Sequence, residues 1–174
     1  MTVKLPYSRV VDVTVTREDR FPTTQGFSTA LLITPTAISG KVDATHRTKL
    51  YSTIDEVALD WPEGDGVPDH IAAVRNAATK FFSARVRPPQ LKIGYADSAN
   101  AIGGEMDLIY AADSDWYWLL HTLNSLDQAG MLALAAWAEA HTVILGIDSA
   151  DSSTLTPGGA PETSIAALLQ SRGY

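Results

Sequence analysis

Cysteine is absent from the 174 residues. That removes disulfides, thiolate metal sites and cysteine nucleophiles, and it fits a reducing compartment. Positive charge is scarce: 13 Lys and Arg face 20 Asp and Glu, for a formal net charge of −7 and a sequence pI of about 4.9. Such a chain is poorly matched to nucleic acid, whose binding needs a basic face to displace counterions, and to an anionic membrane surface. No apolar run approaches the roughly 20 residues of a bilayer-spanning helix. The start, Met1 to Pro6, has no apolar core of the signal-peptide kind, so the expectation is a protein made and kept soluble. Phosphate-cradling glycine motifs are missing, because Gly103-Gly104 and Gly158-Gly159 are isolated pairs without the fingerprint that follows a strand and opens a helix. There is no Gly-x-Ser-x-Gly elbow. The 4 histidines, His46, His70, His121 and His141, include no pair at i, i+4 spacing of the kind that binds zinc on a helix.

What the chain does contain is organised around Ser114 to Asp151. Trp116-Tyr117-Trp118-Leu119-Leu120 is aromatic, apolar and free of breakers. Trp116, Leu119, Leu120 and Leu123 also fit helical spacing. The β preference of the aromatic run, and the capping box Ser125-Leu126-Asp127-Gln128 directly after it, favour a strand. The box opens an Ala-rich helix over 126–140 with Met131, Leu134, Ala135 and Ala138 on one stripe. Thr142 to Ile147 then reads as a strand buried on both faces, which completes a strand, helix, strand crossover.

Upstream, Arg9 to Thr16 alternates, with Val11, Val13 and Val15 on one face and Asp12, Thr14 and Thr16 on the other. Phe27 to Thr34 is apolar on both faces and reads as a central strand stopped by Pro35. Lys49 to Tyr51 suits a short strand. Thr53-Ile54-Asp55-Glu56 is a second capping box, whose helix must end by Trp61 because Pro62 follows. A longer helix runs from Pro68, at its first position, to about Ala84, with Ile71, Val74, Ala78, Phe81 and Phe82 inward. Leu91, Ile93 and Tyr95 alternate along another strand. After the Gly103-Gly104 breaker, Glu105 to Ala112 makes two helical turns. Pro161 to Arg172 forms a last helix, with Gly173 past its end. The prediction is a single α/β domain with a mixed, mostly parallel sheet, built from strands near 27–34, 90–95, 115–121 and 142–147 and covered by helices. The N-terminal arm occupies 1–22, carrying strand 9–16, and the domain proper occupies 23–174.

The best enzymatic candidates are acidic. Asp113 and Asp115 precede one strand of the organising unit, and Asp148 and Asp151 follow the other. Ligands of open α/β sheets bind beyond the carboxyl ends of strands, so Asp148 could hold Mg²⁺ or accept a phosphoryl group. That would make the chain a Mg²⁺-dependent phospho-acceptor or phosphatase-like domain, provided a second carboxylate stands beside Asp148. Parallel strands would instead put the two aspartate pairs at opposite ends, as N-caps and turn formers. A generic ligand-binding module, with one large apolar pocket, is a third class.

The order of features resembles one family. Ser8-Arg9-Val10-Val11-Asp12-Val13-Thr14-Val15 is followed by Tyr51-Ser52-Thr53-Ile54-Asp55-Glu56-Val57-Ala58 and by Ala78-Thr79-Lys80-Phe81-Phe82-Ser83. Then come Arg87-Pro88-Pro89-Gln90-Leu91-Lys92-Ile93-Gly94, Ala112-Asp113-Ser114-Asp115-Trp116-Tyr117 and Ala135-Ala136-Trp137-Ala138-Glu139-Ala140. The series resembles the sheath subunits of contractile bacteriophage tails, over nearly the whole chain. The resemblance implies a structural subunit without catalytic, cofactor or metal residues. Such subunits stack as hexameric rings around a tail tube above a baseplate, in the virion, after assembly in the host cytoplasm. They exchange strands through terminal arms and shorten to drive the tube through the host envelope. It makes Val11, Val13 and Val15 subunit-contact residues. Two departures stand out. The link between Gly94 and Ala112 is short where such sheaths often carry an inserted domain. Past the point corresponding to Tyr174, the family continues into a C-terminal region bearing the other half of the strand exchange.

Overall fold

The computed structural model describes residues 28–123, 126–148 and 164–173. Strand 9–16 with Val11, Val13 and Val15, the aspartate Asp151 and the capping serine Ser125 lie outside the described residues. The elements in chain order are β1 (Thr29–Thr34), β2 (Thr48–Tyr51), α1 (Ile54–Asp60), α2 (Asp69–Ser83), β3 (Gln90–Tyr95), α3 (Ile102–Ala112), β4 (Trp118–His121), α4 (Gln128–Ala140), β5 (Ile144–Leu145) and α5 (Ile165–Ser171). They form one α/β domain around a 5-stranded sheet of order β2-β3-β1-β4-β5. β1 pairs in parallel with β3 and β4, and β4 with β5, while β2 runs antiparallel to β3. The sheet is therefore mixed and mostly parallel, as its sequence pattern requires.

β1 is central because it is apolar on both faces, and all 6 of its residues are buried. Leu31 and Ile33 point to one side, where α3 and α4 supply Met106, Ile109, Leu134 and Trp137. Ala30 and Leu32 point to the other, with Leu91 and Ile93 of β3 against Val57 of α1 and Val74 and Ala78 of α2. After β1 the chain moves to the β3 side of the sheet. After β4 it moves the opposite way, to β5. The reversal falls between the carboxyl ends of β1 and β4, where a doubly wound sheet opens a crevice. α5 packs on α4, with Ile165 against Met131 and Leu132.

Several local expectations change. The last strand is not buried on both faces: β5 has 2 residues, one exposed and one half-buried, because it is the outermost strand of the sheet on that side. The Ala-rich helix is capped by Asp127, whose side chain accepts from the Gly130 amide, rather than by Ser125. Asp127 caps as well as Ser would, and it shifts the start of the helix to Gln128. Gly103 and Gly104 do not break the chain but lie in the first turn of α3. Buried Ile102 and the carboxylate of Glu105 anchor that turn. Pro68 is the N-cap of α2 and not its first helical residue. The remaining boundaries follow local chemistry. Thr53 caps α1 by accepting from Glu56 N–H, the Glu56 carboxylate accepts from Ser52 N–H, and the helix closes at Trp61.

α4 ends in a Schellman arrangement: Val143 N–H donates to Ala138 C=O and Thr142 N–H to Glu139 C=O. This places Thr142 at φ 58°, a left-handed conformation that β-branched residues rarely adopt.

Candidate functional site

The acidic candidates separate as parallel strands demand. Asp113, at the end of α3, sits at the amino end of β4. Its carboxylate accepts the Lys92 ammonium at 2.7 Å and the Asp115 amide at 3.0 Å. Lys92 also donates to the Asp115 carbonyl at 2.8 Å. Asp113 is therefore a turn former and the partner of a lysine buried inside β3. Asp148 lies past the opposite, carboxyl end of β5 and is exposed. Its negative charge acts on His121, the last residue of β4. Among the described residues no group of three His, Asp or Glu side chains is placed to hold a metal ion.

The histidines have separate surroundings. His46 is exposed beside Asp43, 3.2 Å away. His70 lies in the first turn of α2. His141 caps α4 and stacks on Trp137 with ring centroids 3.8 Å apart, its Nδ1 2.9 Å from the Trp137 carbonyl. His121 differs from these: both ring nitrogens are shielded from solvent and have no hydrogen-bond partner. Burial holds its imidazole below the ordinary range, against an opposing pull from Asp148, so it is neutral near pH 7.

Two carboxylate networks escaped the sequence because their members come from distant elements. Asp60, at the end of α1, is buried and receives Lys41, Lys49 and the Tyr51 hydroxyl, the last at 2.9 Å. Trp61 Nε1 in turn donates to the Tyr51 oxygen at 3.2 Å. Burial alone pushes the Asp60 carboxyl up, but the hydrogen bonds from Lys41, Lys49 and Tyr51 outweigh it and leave it below the usual carboxylate range. Burial raises the Tyr51 phenol. Glu105 of α3 repeats the theme at the carboxyl end of β3. Its buried carboxylate accepts from Arg47 at 2.6 Å, the Asp97 amide at 3.0 Å and the Asn100 amide group at 2.8 Å. Burial is again outweighed by these donors, and the Glu105 carboxyl is lowered. Each carboxylate is saturated by donors from its own domain, so both networks serve as ties between elements.

One groove on the described surface is strongly apolar. α2 covers β3 and β1 but stops short of β4 on that face. Trp118 and Leu120 are left half-buried, as the floor of a groove of about 420 Å³ with Ala30, walled by Phe81, Val86 and Pro88. Val86 is 92% exposed and Ile144, on the neighbouring β5, is 38% exposed. Arg87 reaches across Phe82, its guanidinium 5.1 Å from the ring centroid, and donates to the Phe82 and Pro88 carbonyls.

Comparison with family models and with curated proteins finds no match to the chain. No helix among the described residues is long and apolar enough to cross a membrane.

Proposed function

We propose that this chain is a structural subunit of a contractile phage tail sheath. It polymerises with copies of itself as hexameric rings around a tail tube, above a baseplate, and contracts to drive the tube through the host envelope. The observation that carries the reading is the ordered series of sheath-like segments. Those within the described residues fall on the scaffold of one domain: the end of β2 with α1, the end of α2, β3, the entry to β4, and α4. Tyr51, Val57, Ala78, Leu91, Ile93, Trp116 and Trp137 from these segments are buried, so each segment contributes to the core of this domain. The first segment, with Val11, Val13 and Val15, leads towards β1, the central strand, and is suited to strand addition onto a neighbouring subunit. The subunit works without a catalytic residue or cofactor, and its place is the virion tail.

Electron microscopy of the protein, with any missing C-terminal region restored and its tube protein present, tests the reading. Stacked rings or sheathed tubes are expected, and Val13→Asp should abolish them while leaving the domain folded. A wild-type protein that stays monomeric beside its tube protein would refute the assignment.

A further inference from the structure

We propose that the apolar groove over β4 is the seat of the valine face of residues 9–16 of the same chain while the subunit is unassembled. A mostly parallel sheet is stable when both faces are covered. Here α3 and α4 cover one face across β1 and β4, whereas on the other face the cover supplied by the described residues ends at α2. The floor left over, with Trp118 and Leu120, belongs to the sheet and not to a loop, so it is rigid and flat enough to receive a strand.

The segment outside the described residues that ends beside this floor is the N-terminal one. It joins the fold at Ser28, and Ala30, two residues on, is part of the floor. From residue 17 to Ser28 the chain spans at most on the order of 40 Å. The outer strand β5 lies only two strand spacings from β1, roughly 10 Å. The reach is ample for residues 9–16 to turn back along β4 and β5. Their composition fits: Val11, Val13 and Val15 alternate with polar Asp12, Thr14 and Thr16, and β-branched side chains pack well on a pleated surface. The other long undescribed stretch, 149–163, fits poorly. Leu155 is its one large apolar residue. It leaves from the carboxyl end of β5 and returns at Ser164 to α5, which packs on α4 over the opposite face. In a polymer the same valine face is drawn out to a neighbour, so the groove is a store that assembly empties.

The absence of cysteine allows a direct test in the full chain. Leu120→Cys is combined in turn with Val11→Cys, Asp12→Cys, Val13→Cys, Thr14→Cys and Val15→Cys, and each protein is treated below its assembly concentration with a short bis-maleimide, because a strand lying over a sheet face sits about 10 Å from it, beyond the reach of a disulfide. The valine positions should give an intrachain crosslink, seen as a faster monomer on a denaturing gel, at a higher yield than the even positions. Val13→Cys with Leu108→Cys, on α3 beneath the other face, should remain open. Crosslinked dimers would hand the groove to a second copy, and the failure of all three valine positions would empty it; either result overturns the proposal. A fluorescence measurement guards against misfolded variants. Trp61 and Trp116 are fully buried and Trp137 is 8% exposed, so Val13→Asp should raise acrylamide quenching about two-fold through Trp118, and a Trp118→Phe background should cancel the rise. Unchanged quenching also overturns the proposal. The seating of the segment does not rest on the sheath reading; only its release on assembly does. Intrachain crosslinking in a protein that never polymerises would retire the sheath and keep the groove, and tubes from a protein without the crosslink would do the reverse.

Discussion

The two faces of the sheet solve the same burial problem differently. On the α3/α4 face the cover over β1 and β4 is aromatic and continuous. Trp116 stacks on Trp137 at 6.0 Å, Trp137 stacks on His141, and Tyr110 meets all three rings edge-on. The indole donors are satisfied there by Asp107 and by the Asp113 carbonyl. On the α1/α2 face the cover is tight over β3 and β1, and among the described residues it ends there, leaving Trp118 and Leu120 at the groove. Two tryptophans two residues apart in sequence thus belong to different regimes: Trp116 is fully buried in packed core, and Trp118 is only partly buried. The lesson is that alternation along β4 decides which side chain points to which face, while the helices decide how much burial that face confers.

The largest expected effect tests this contrast directly. Trp116→Ala removes a buried indole and its stacking partner's support, and should cost about 3–5 kcal/mol of unfolding free energy. Trp118→Ala should cost only about 1–2 kcal/mol, in proportion to its lesser burial. Urea titrations of both variants read the difference, and equal losses would break the comparison.

Next in size is the charged tie on the α1/α2 side. Asp60→Asn should cost about 2–3 kcal/mol at pH 7 through lost charge-assisted hydrogen bonds. The loss stays below that of a fully buried pair because the side chains of Lys41 and Lys49 are 44% and 40% exposed and can turn to water. The pH dependence follows from the lowered carboxyls of Asp60 and Glu105. A depressed folded-state pKa gives stability that is complete above the unfolded carboxylate range near about 4. That stability is lost as pH falls through that range toward the folded values, because the unfolded chain takes up protons first. Wild-type stability should therefore drop on acidification, and the gap to Asp60→Asn should narrow in the same window. A gap that widens in acid would contradict the assignment of these ties.

A smaller effect has the opposite sign. Thr142 holds a left-handed conformation at the end of α4, and Thr142→Gly should raise stability by about 0.5–1 kcal/mol by removing the Cβ clash. Thermal melts check this, and a destabilised variant would mean that the Thr142 side chain earns its place through contacts.

The smallest effect sharpens the comparison between the charged ties of the two faces. Lys92, 6% exposed, lies on the α3/α4 side of β3, opposite in direction to Leu91 and Ile93 and in register with Leu31, and its partner Asp113 has a side chain 29% exposed. Lys92→Met should change stability by no more than about 1 kcal/mol, since an apolar residue of similar volume often replaces a buried ion at little cost when the partner can hydrate. A loss as large as that of Asp60→Asn would show that the lysine pins the α3–β4 turn.

The fold class was written in local patterns. The two-sided apolar run of β1, the alternation of β3, the aromatic run of β4 and the Ala-rich helix after it dictate strands and helices whose alternation forces a mostly parallel sheet. Thr53 and Pro62 set the ends of α1 by capping chemistry and by the backbone restriction before proline. Local pattern fails where a neighbour in space decides. Thr142 to Ile147 has the composition of a buried strand, yet position at the sheet margin reduces it to Ile144–Leu145 with an exposed side. Gly103-Gly104 has the composition of a break, yet the donors gathered on Glu105 and the burial of Ile102 hold it in helix. Asp127 is the cap of α4, a choice the sequence left open because Ser and Asp both cap well. The candidate surfaces divide in the same way. The valine face of 9–16 is legible because period-two alternation is a local property. The groove over Trp118 and Leu120, and the ties that join Lys41, Lys49 and Tyr51 to Asp60 or Arg47 to Glu105, depend on residues far apart in the chain that meet only when the sheet order is set. Side-chain spacing within an element is fixed by backbone geometry and so is carried by the sequence itself. Which faces meet, and where the helical cover ends, is a property of the packed whole.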